Sequence, residues 1–146
     1  MLRTTLILLA ASAVSGCAAS ASLSPTMSSN SNQSQTELAA YAGHDSYPTT
    51  MPASNDLKAA AMVTSDQKTL KVYNFGNNPI SDADVWVNGA FVYHVDNIAP
   101  QSSVTIPAAQ LYNSVGASFA SQGAPFSRVQ VKTGNELYNL WGPAAL

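Results

Sequence analysis

The 146-residue chain is long enough for one folded domain, and its 46% hydrophobic content is typical of a globular protein, but only 10% of its residues are charged. With six basic and eight acidic residues and no basic run, it lacks the charge pattern of a nucleic-acid-binding protein and the polybasic patch that binds anionic lipids. Cys17 is the only cysteine, which excludes an intrachain disulfide and a cysteine-based zinc site.

The first segment of the chain has the layout of an export signal. Arg3 supplies the positive start, and residues 6–14 form an apolar run. Its length is typical of a signal peptide and falls well short of the roughly 20 residues that span a bilayer. The sequence Val14-Ser15-Gly16-Cys17 follows, and it resembles the lipobox of bacterial lipoproteins.

This resemblance implies that residues 1–16 are removed and that the Cys17 thiol carries diacylglycerol, with an acyl chain such as palmitate on the new amino terminus. Each buried CH₂ contributes about 0.8 kcal/mol, so two or three chains give lasting membrane attachment. An Asp after the lipidated Cys often favours inner-membrane retention in Gram-negative lipoproteins, so Ala18 resembles the outer-membrane case. The expected location is the cell envelope, on the outer membrane if the cell is Gram-negative.

The residues after Cys17 predict a tether. Residues 18–36 are rich in Ser, Ala, Asn and Gln, and this composition favours a flexible chain with a reach of roughly 25 Å. The structure of residues 37–56 is ambiguous. Residues 37–42 could form one or two helical turns, but Gly43, Pro48 and Pro52 break any regular element, so we expect partial order at best. We therefore expect a lipidated tether over residues 17–56 and a folded domain over residues 57–146.

The folded domain begins with a choice between helix and strand. Asn55 is suited to cap a short helix, whereas Ala60-Ala61-Met62-Val63 favours a strand, which we prefer. Short apolar runs separated by turn residues then predict further strands. These lie at residues 70–75, 85–87, 90–93, 103–106, 128–132 and 137–141, with a short helix expected from Pro107 and a short strand at 118–120.

Part of this strand pattern resembles bacterial immunoglobulin-like modules. Asn74-Phe75-Gly76, residues 85–87, Ile98-Ala99-Pro100 and residues 103–106 follow one another in the chain. In those modules a strand ending in an Asn turn precedes a hairpin and a Leu-Pro-Gly turn, and Ile98 and Gln101 stand here at the Leu and Gly positions. The resemblance implies a mainly β fold, a small antiparallel sandwich, and names no activity.

Asn88-Gly89 between two β-rich runs predicts a type I′ hairpin. A two-residue turn places Val87 opposite Ala90 and Asp84 opposite Tyr93. One strand face then carries Val85, Val87, Ala90 and Val92, and the other carries Trp86, Phe91 and Tyr93. Because valines pack well in a sandwich core, the aromatic face is a candidate binding surface. Large aromatic side chains are mostly buried, so the alternative, which we prefer, places Trp86 and its neighbours in the core, or beneath the segment before Leu57 or the loop at residues 107–127.

Candidate catalytic groups are few. His44 beside Asp45 lies in a Gly/Pro-rich stretch, which gives poor preorganisation. In the predicted register His94 and Asp96 point away from Asp82 and Asp84, so no metal site is expected. A lipidated Cys17 cannot act as a nucleophile. No hydrolase elbow, metalloprotease, phosphate-loop, dinucleotide or EF-hand motif is present, and no cofactor is expected.

Two functions remain from the sequence alone. The first is a non-catalytic binding or structural module, tethered to a membrane, whose partner is an envelope protein or a glycan. The alternative is a small envelope hydrolase with an unrecognised site. A pocket that holds His94 beside a nucleophile would favour the hydrolase, whereas a closed sandwich with an exposed aromatic face would favour the binding module.

Overall fold

The computed structural model describes residues 33–145, the last five by their backbone alone. Its helices are α1 (Gln35–His44) and α2 (Phe119–Gln122), with a 3₁₀ turn at Ala108–Gln110. Its strands are β1 (Ala53–Ser54), β2 (Ala59–Val63), β3 (Thr69–Asn74), β4 (Ile80–Val87), β5 (Phe91–Ile98), β6 (Ser102–Pro107), β7 (Tyr112–Asn113), β8 (Val129–Thr133), β9 (Glu136–Asn139) and β10 (Trp141–Ala145).

The strands form a large sheet of six, in the order β1-β9-β8-β4-β5-β7, and a small sheet of four, in the order β10-β2-β3-β6. Neighbouring strands are antiparallel except for β1 beside β9 and β10 beside β2. The orders β2-β3-β6 and β9-β8-β4-β5 correspond to strands A-B-E and G-F-C-C′ of an immunoglobulin-like sandwich. The predicted mainly β, sandwich-type fold is confirmed.

The core lies between the two sheets, because alternate residues of a strand point to the same side. On β2 and β3 every second residue is buried, while the residues between are partly exposed, so the small sheet has one apolar face. The large sheet contributes apolar side chains from its central strands. Those of the core that are almost fully buried include Val63, Leu70, Val72, Val85, Val87, Val95, Val129 and Val131.

The β4–β5 hairpin turns at the predicted residues but pairs in a different register. Asn88 and Gly89 both have positive φ, at 54° and 69°, and the Ala90 N–H donates to the Val87 carbonyl at 3.1 Å. Strand pairing then begins at Val87 opposite Phe91, which leaves Ala90 as an extra residue. The expected register is therefore wrong by one position, and a shift of one residue exchanges the faces of one strand relative to the other.

The folded unit begins well before residue 57. Ser34 caps α1 through a capping box with Glu37, whose carboxylate accepts the Ser34 N–H at 2.8 Å. On α1, Leu38 and Ala42 are buried against the sandwich, and β1 pairs with β9. Residues 34–56 thus belong to the sandwich, and the expected tether that extends to residue 56 is corrected on this point. Residues 17–32 lie outside the described part.

The two short strands predicted at residues 60–63 and 118–120 have different outcomes in the structure. The strand over residues 60–63 is confirmed as part of β2, whereas residues 118–120 begin the short helix α2 and form no strand there beyond an isolated bridge at Ser118. Asn74 is buried, and its side-chain amide donates to the carbonyls of Asn78, Ile98 and Ala99, which ties the ends of β3 and β5 together. Gln101, at the usual glycine position, has a φ of 56°.

Candidate functional site

The observed register brings His94 directly opposite Asp84 on one face of the large sheet. The His94 Nδ1 lies 2.9 Å from the Asp84 Oδ1, and both residues are buried. The prediction that His94 points away from Asp82 and Asp84 is therefore wrong. Its cause is Ala90, whose extra position in the turn places residues 84 and 94 on the same face.

Two further elements complete the site. From α1, the Tyr41 hydroxyl donates to the Asp84 Oδ1 at 2.5 Å and lies 3.1 Å from the His94 Nδ1. From β8, Lys132 stands opposite Asp84 in register, with its Nζ 3.5 Å from the Asp84 Oδ2. We call Tyr41, Asp84, His94 and Lys132 the Asp84 cluster, because three of its members converge on that one carboxylate.

The second nitrogen of the His94 ring faces two more carboxylates. Its Nε2 lies 3.6 Å from the Asp82 Oδ1 and 3.4 Å from the Asp96 Oδ1. The Asp82 side chain is 92% exposed and that of Asp96 is 42% exposed, so water screens both interactions. One imidazole therefore lies among three negative groups.

These contacts shift the pKa values of Asp84, His94 and Tyr41. Burial alone would raise the pKa of Asp84, but hydrogen bonds from His94 and Tyr41 and the charges of His94 and Lys132 hold that pKa below its ordinary value. The hydrogen bond to Asp84 raises the pKa of His94 against the opposing effect of burial. Burial, followed by the hydrogen bond to Asp84, raises the pKa of Tyr41. The arrangement favours a carboxylate, an imidazolium and a neutral phenol.

This charge distribution is poorly suited to base catalysis. A general base needs an unprotonated nitrogen that can reach its substrate. In His94 one nitrogen is bound to Asp84, and the other faces carboxylates that favour its proton. Among the described residues, no group of three or more His, Cys, Asp and Glu side chains is arranged to hold a metal ion. The geometry instead suits a polar contact that holds α1 on the sheet.

A second polar contact lies beside the first on the same face. The Tyr47 hydroxyl donates to the Gln130 Oε1 at 2.7 Å, and the Gln130 amide donates to the Asn139 Oδ1 at 2.9 Å. The Tyr47 ring meets Trp86 edge-on, with centroids 5.5 Å apart. Residues 41–47 therefore cover this face of the large sheet with two tyrosines, each of which pairs with a buried polar side chain.

The aromatic residues of the candidate binding surface are buried. Trp86, Phe91 and Tyr93 are 3%, 8% and 5% exposed. They also lie on different faces, because Phe91 and Tyr93 stand opposite Val87 and Val85, whereas Trp86 lies beneath Tyr47. Phe91 packs edge-on against Phe119. The exposed aromatic surface is therefore corrected: these side chains hold the layers of the fold together.

The remaining candidate residues lie apart from the Asp84 cluster. His44 is the exposed last residue of α1, and Asp45 caps that helix. Cys17 lies outside the described residues. Sequence reasoning overlooked Tyr41, Tyr47 and Lys132. The Ser34-Gln35-Thr36-Glu37 capping box was a detectable sign that a helix begins there.

Clefts lie elsewhere on the molecule. One of about 560 Å³ lies where the β2–β3 turn meets Pro107 and α2, and its lining is mostly small or apolar, with Ala108, Phe119 and Pro125 among its residues. A second cleft, near Asn74 and Tyr138, is more polar. Neither is lined by His94 or Asp84. These two clefts therefore do not place His94 beside a nucleophile, the arrangement that would favour a hydrolase.

Comparison of the chain with family models, with curated proteins and with solved structures gives no match. Within residues 33–145, no helix has the length and apolar character needed to cross a membrane.

Proposed function

We propose that this chain is a lipid-anchored protein of the bacterial cell envelope and that its sandwich is a non-catalytic binding or structural module. The observation that carries the proposal is the sequence Val14-Ser15-Gly16-Cys17, directly behind the short apolar run at residues 6–14. Two or three acyl chains at Cys17 would hold the protein on a membrane without any spanning segment.

The start of the folded unit supports this arrangement. Ser34 caps α1, so residues 18–33 separate the lipidated residue from the first helix. If this Ser-rich stretch behaves as its composition predicts, its reach is about 20–24 Å, which keeps the sandwich close to the membrane surface. Helix α1 is then the element through which the anchor is joined to the sandwich.

The Asp84 cluster supports a non-catalytic role. Its members come from α1, β4, β5 and β8, and their hydrogen bonds and charges are directed at one another. The Tyr41 hydroxyl and the Asp84 carboxylate are used in docking α1, and His94 lies among carboxylates that favour its protonated form. A polar contact of this kind fastens the helix that follows the tether, which is a mechanical role.

The test is metabolic labelling of bacteria with a fatty-acid analogue. The wild-type chain is expected to take up label and to partition with membranes, whereas Cys17→Ser is expected to do neither. A matched control combines Cys17→Ser with Ser20→Cys, which keeps one thiol but moves it out of the motif, and it should also remain unlabelled. Absence of label on the wild-type chain, or label on Cys17→Ser, would contradict the proposal.

A further inference from the structure

Strand β6 is the outer strand of the small sheet and pairs on one side with β3. Natural sheets usually protect such an edge with charged side chains, bulges or proline. β6 has no charged residue, and its proline stands at its last position. The chain carries no charged side chain anywhere from residue 97 to residue 127. This edge is therefore unusually free of electrostatic protection.

The ladder determines which backbone groups of β6 face outward. The Ala108 N–H donates to the Lys68 carbonyl at 2.8 Å, which makes residues 108 and 68 a hydrogen-bonded pair. Hydrogen-bonded pairs alternate along an antiparallel ladder, so Ile106 and Val104 also direct their backbone groups to β3. Ser103 and Thr105 direct theirs to the free edge.

The free edge is short, and only a few backbone donors and acceptors point outward from it. Ser103 and Thr105 each present one N–H and one carbonyl, and Pro107 has no N–H to add. Both side chains are exposed. Among the described residues, no hydrogen bond outside the ladder involves Ser103 or Thr105. The available donors and acceptors are thus arranged symmetrically about Val104.

We propose that β6 pairs with β6 of a second copy of this chain, antiparallel about a two-fold axis at Val104. In this register Ser103 of each copy lies opposite Thr105 of the other, and four backbone hydrogen bonds satisfy all the outward groups of these two residues. The two small sheets then join into one continuous sheet. The inference concerns the folded unit and holds whether or not Cys17 carries lipid.

The side chains suit this pairing. Ile106 is buried and Val104 partly buried against the core, so Val104 meets Val104 of the other copy on the inner face. Ser103 and Thr105 meet on the outer face, and cross-strand pairs of hydroxyl residues are favourable. No like charges are brought together by the two strands. Membrane anchoring of both copies would raise their effective concentration and strengthen a weak pairing.

The test is the mass of the mature chain, made with Cys17→Ser to keep it free of lipid, in sedimentation equilibrium over a hundredfold concentration series. The average mass should rise from that of a monomer toward twice that value. Ser103→Pro removes one outward N–H without loss of a ladder bond, and Thr105→Lys adds a charge to the edge. Both variants should remain monomeric with unchanged circular dichroism.

The matched control is Ser114→Lys, an exposed position in the same uncharged stretch but outside β6, which should associate as the parent chain does. Concentration-dependent NMR shifts of the Ser103 and Thr105 amides provide a second readout that locates the contact. A parent chain that stays monomeric throughout, or edge variants that associate as strongly as the parent, would overturn the proposal.

Discussion

The two faces of the large sheet are both covered, but by different chemistry. The inner face meets the small sheet with valines such as Val85 and Val131, all nearly fully buried. The outer face carries Asp84, His94 and Gln130, also buried, beneath residues 41–47. A strand face rich in polar residues is usually solvated. Here it is a docking surface, because the covering segment brings a hydrogen-bonding tyrosine to each polar group.

Most of the buried polar groups on the outer face have hydrogen-bond partners. A buried polar group costs free energy unless it has a partner. Asp84, His94 and Gln130 each have one or more hydrogen-bond partners. The Trp86 Nε1 is the exception, since it is buried with no partner among the described residues. Asp84 and Gln130 therefore determine how the segment at residues 41–47 docks on the outer face, whereas Trp86 contributes mainly apolar area.

The largest effect is expected from Trp86→Ala, which removes the main apolar group of the outer face. Truncation of a buried aromatic side chain of this size costs about 3–5 kcal/mol of unfolding free energy. Trp86→Phe should cost much less, because it keeps a ring and removes a buried N–H that has no partner. Urea denaturation of both variants measures this difference, and equal losses would contradict the prediction.

A smaller loss is expected from Asp84→Asn, which keeps the shape of the side chain but removes its charge. The variant leaves His94 and Lys132 without their shared carboxylate and should cost about 2–3 kcal/mol. Asp82→Asn is the matched control, since Asp82 also faces His94 but is almost fully exposed, and its effect should stay within about 0.5 kcal/mol. Equal losses of unfolding free energy in the two variants would show that the buried charge of Asp84 contributes no more to stability than the exposed charge of Asp82.

The Asp84 cluster should also make the free energy of unfolding depend on pH, with losses at both acidic and alkaline pH. The pKa of His94 is raised in the folded chain, so its contribution is complete below the ordinary value of 6.5 and is lost as pH rises through the folded pKa. The pKa of Asp84 is lowered, so its contribution is present above 3.8 and is lost as pH falls through the folded pKa. Stability from the cluster is therefore greatest between these two ordinary values.

The variant that isolates the alkaline limb is His94→Gln. Its unfolding free energy, measured in urea from about pH 6 to about pH 9, should decline less steeply than that of the wild-type chain, because the group that titrates in this range is gone. An unchanged slope in His94→Gln would mean that the imidazole has no raised pKa in the folded chain.

The inner face was predictable from the sequence only in part, because Val85 and Val87 were placed there but the wrong register put Val92 beside them in place of Phe91 and Tyr93. The outer face was not predictable. Turn residues and apolar runs located most of the strands and indicated a sandwich, and Asn88-Gly89 marked the hairpin. Whether Ala90 belongs to the turn or to β5 cannot be decided locally, because the difference depends on pairing with β8 and β7 as well as with β4. The Asp84–His94 pair depends on that one residue. Tyr41 is distant in sequence, so only the fold brings it to Asp84.

The most direct test of the account is amide hydrogen exchange in the mature chain, read for α1 and for β2 to β5 in the same sample. If α1 is docked on the polar face, its hydrogen-bonded amides should be protected in the wild-type chain, and Tyr41→Phe should selectively accelerate their exchange. The loss of one hydrogen bond to a carboxylate predicts a change of about 1–2 kcal/mol in the opening free energy of α1. Exchange of α1 at the rate of an unstructured peptide in the wild-type chain, while β2 to β5 remain protected, would contradict the account.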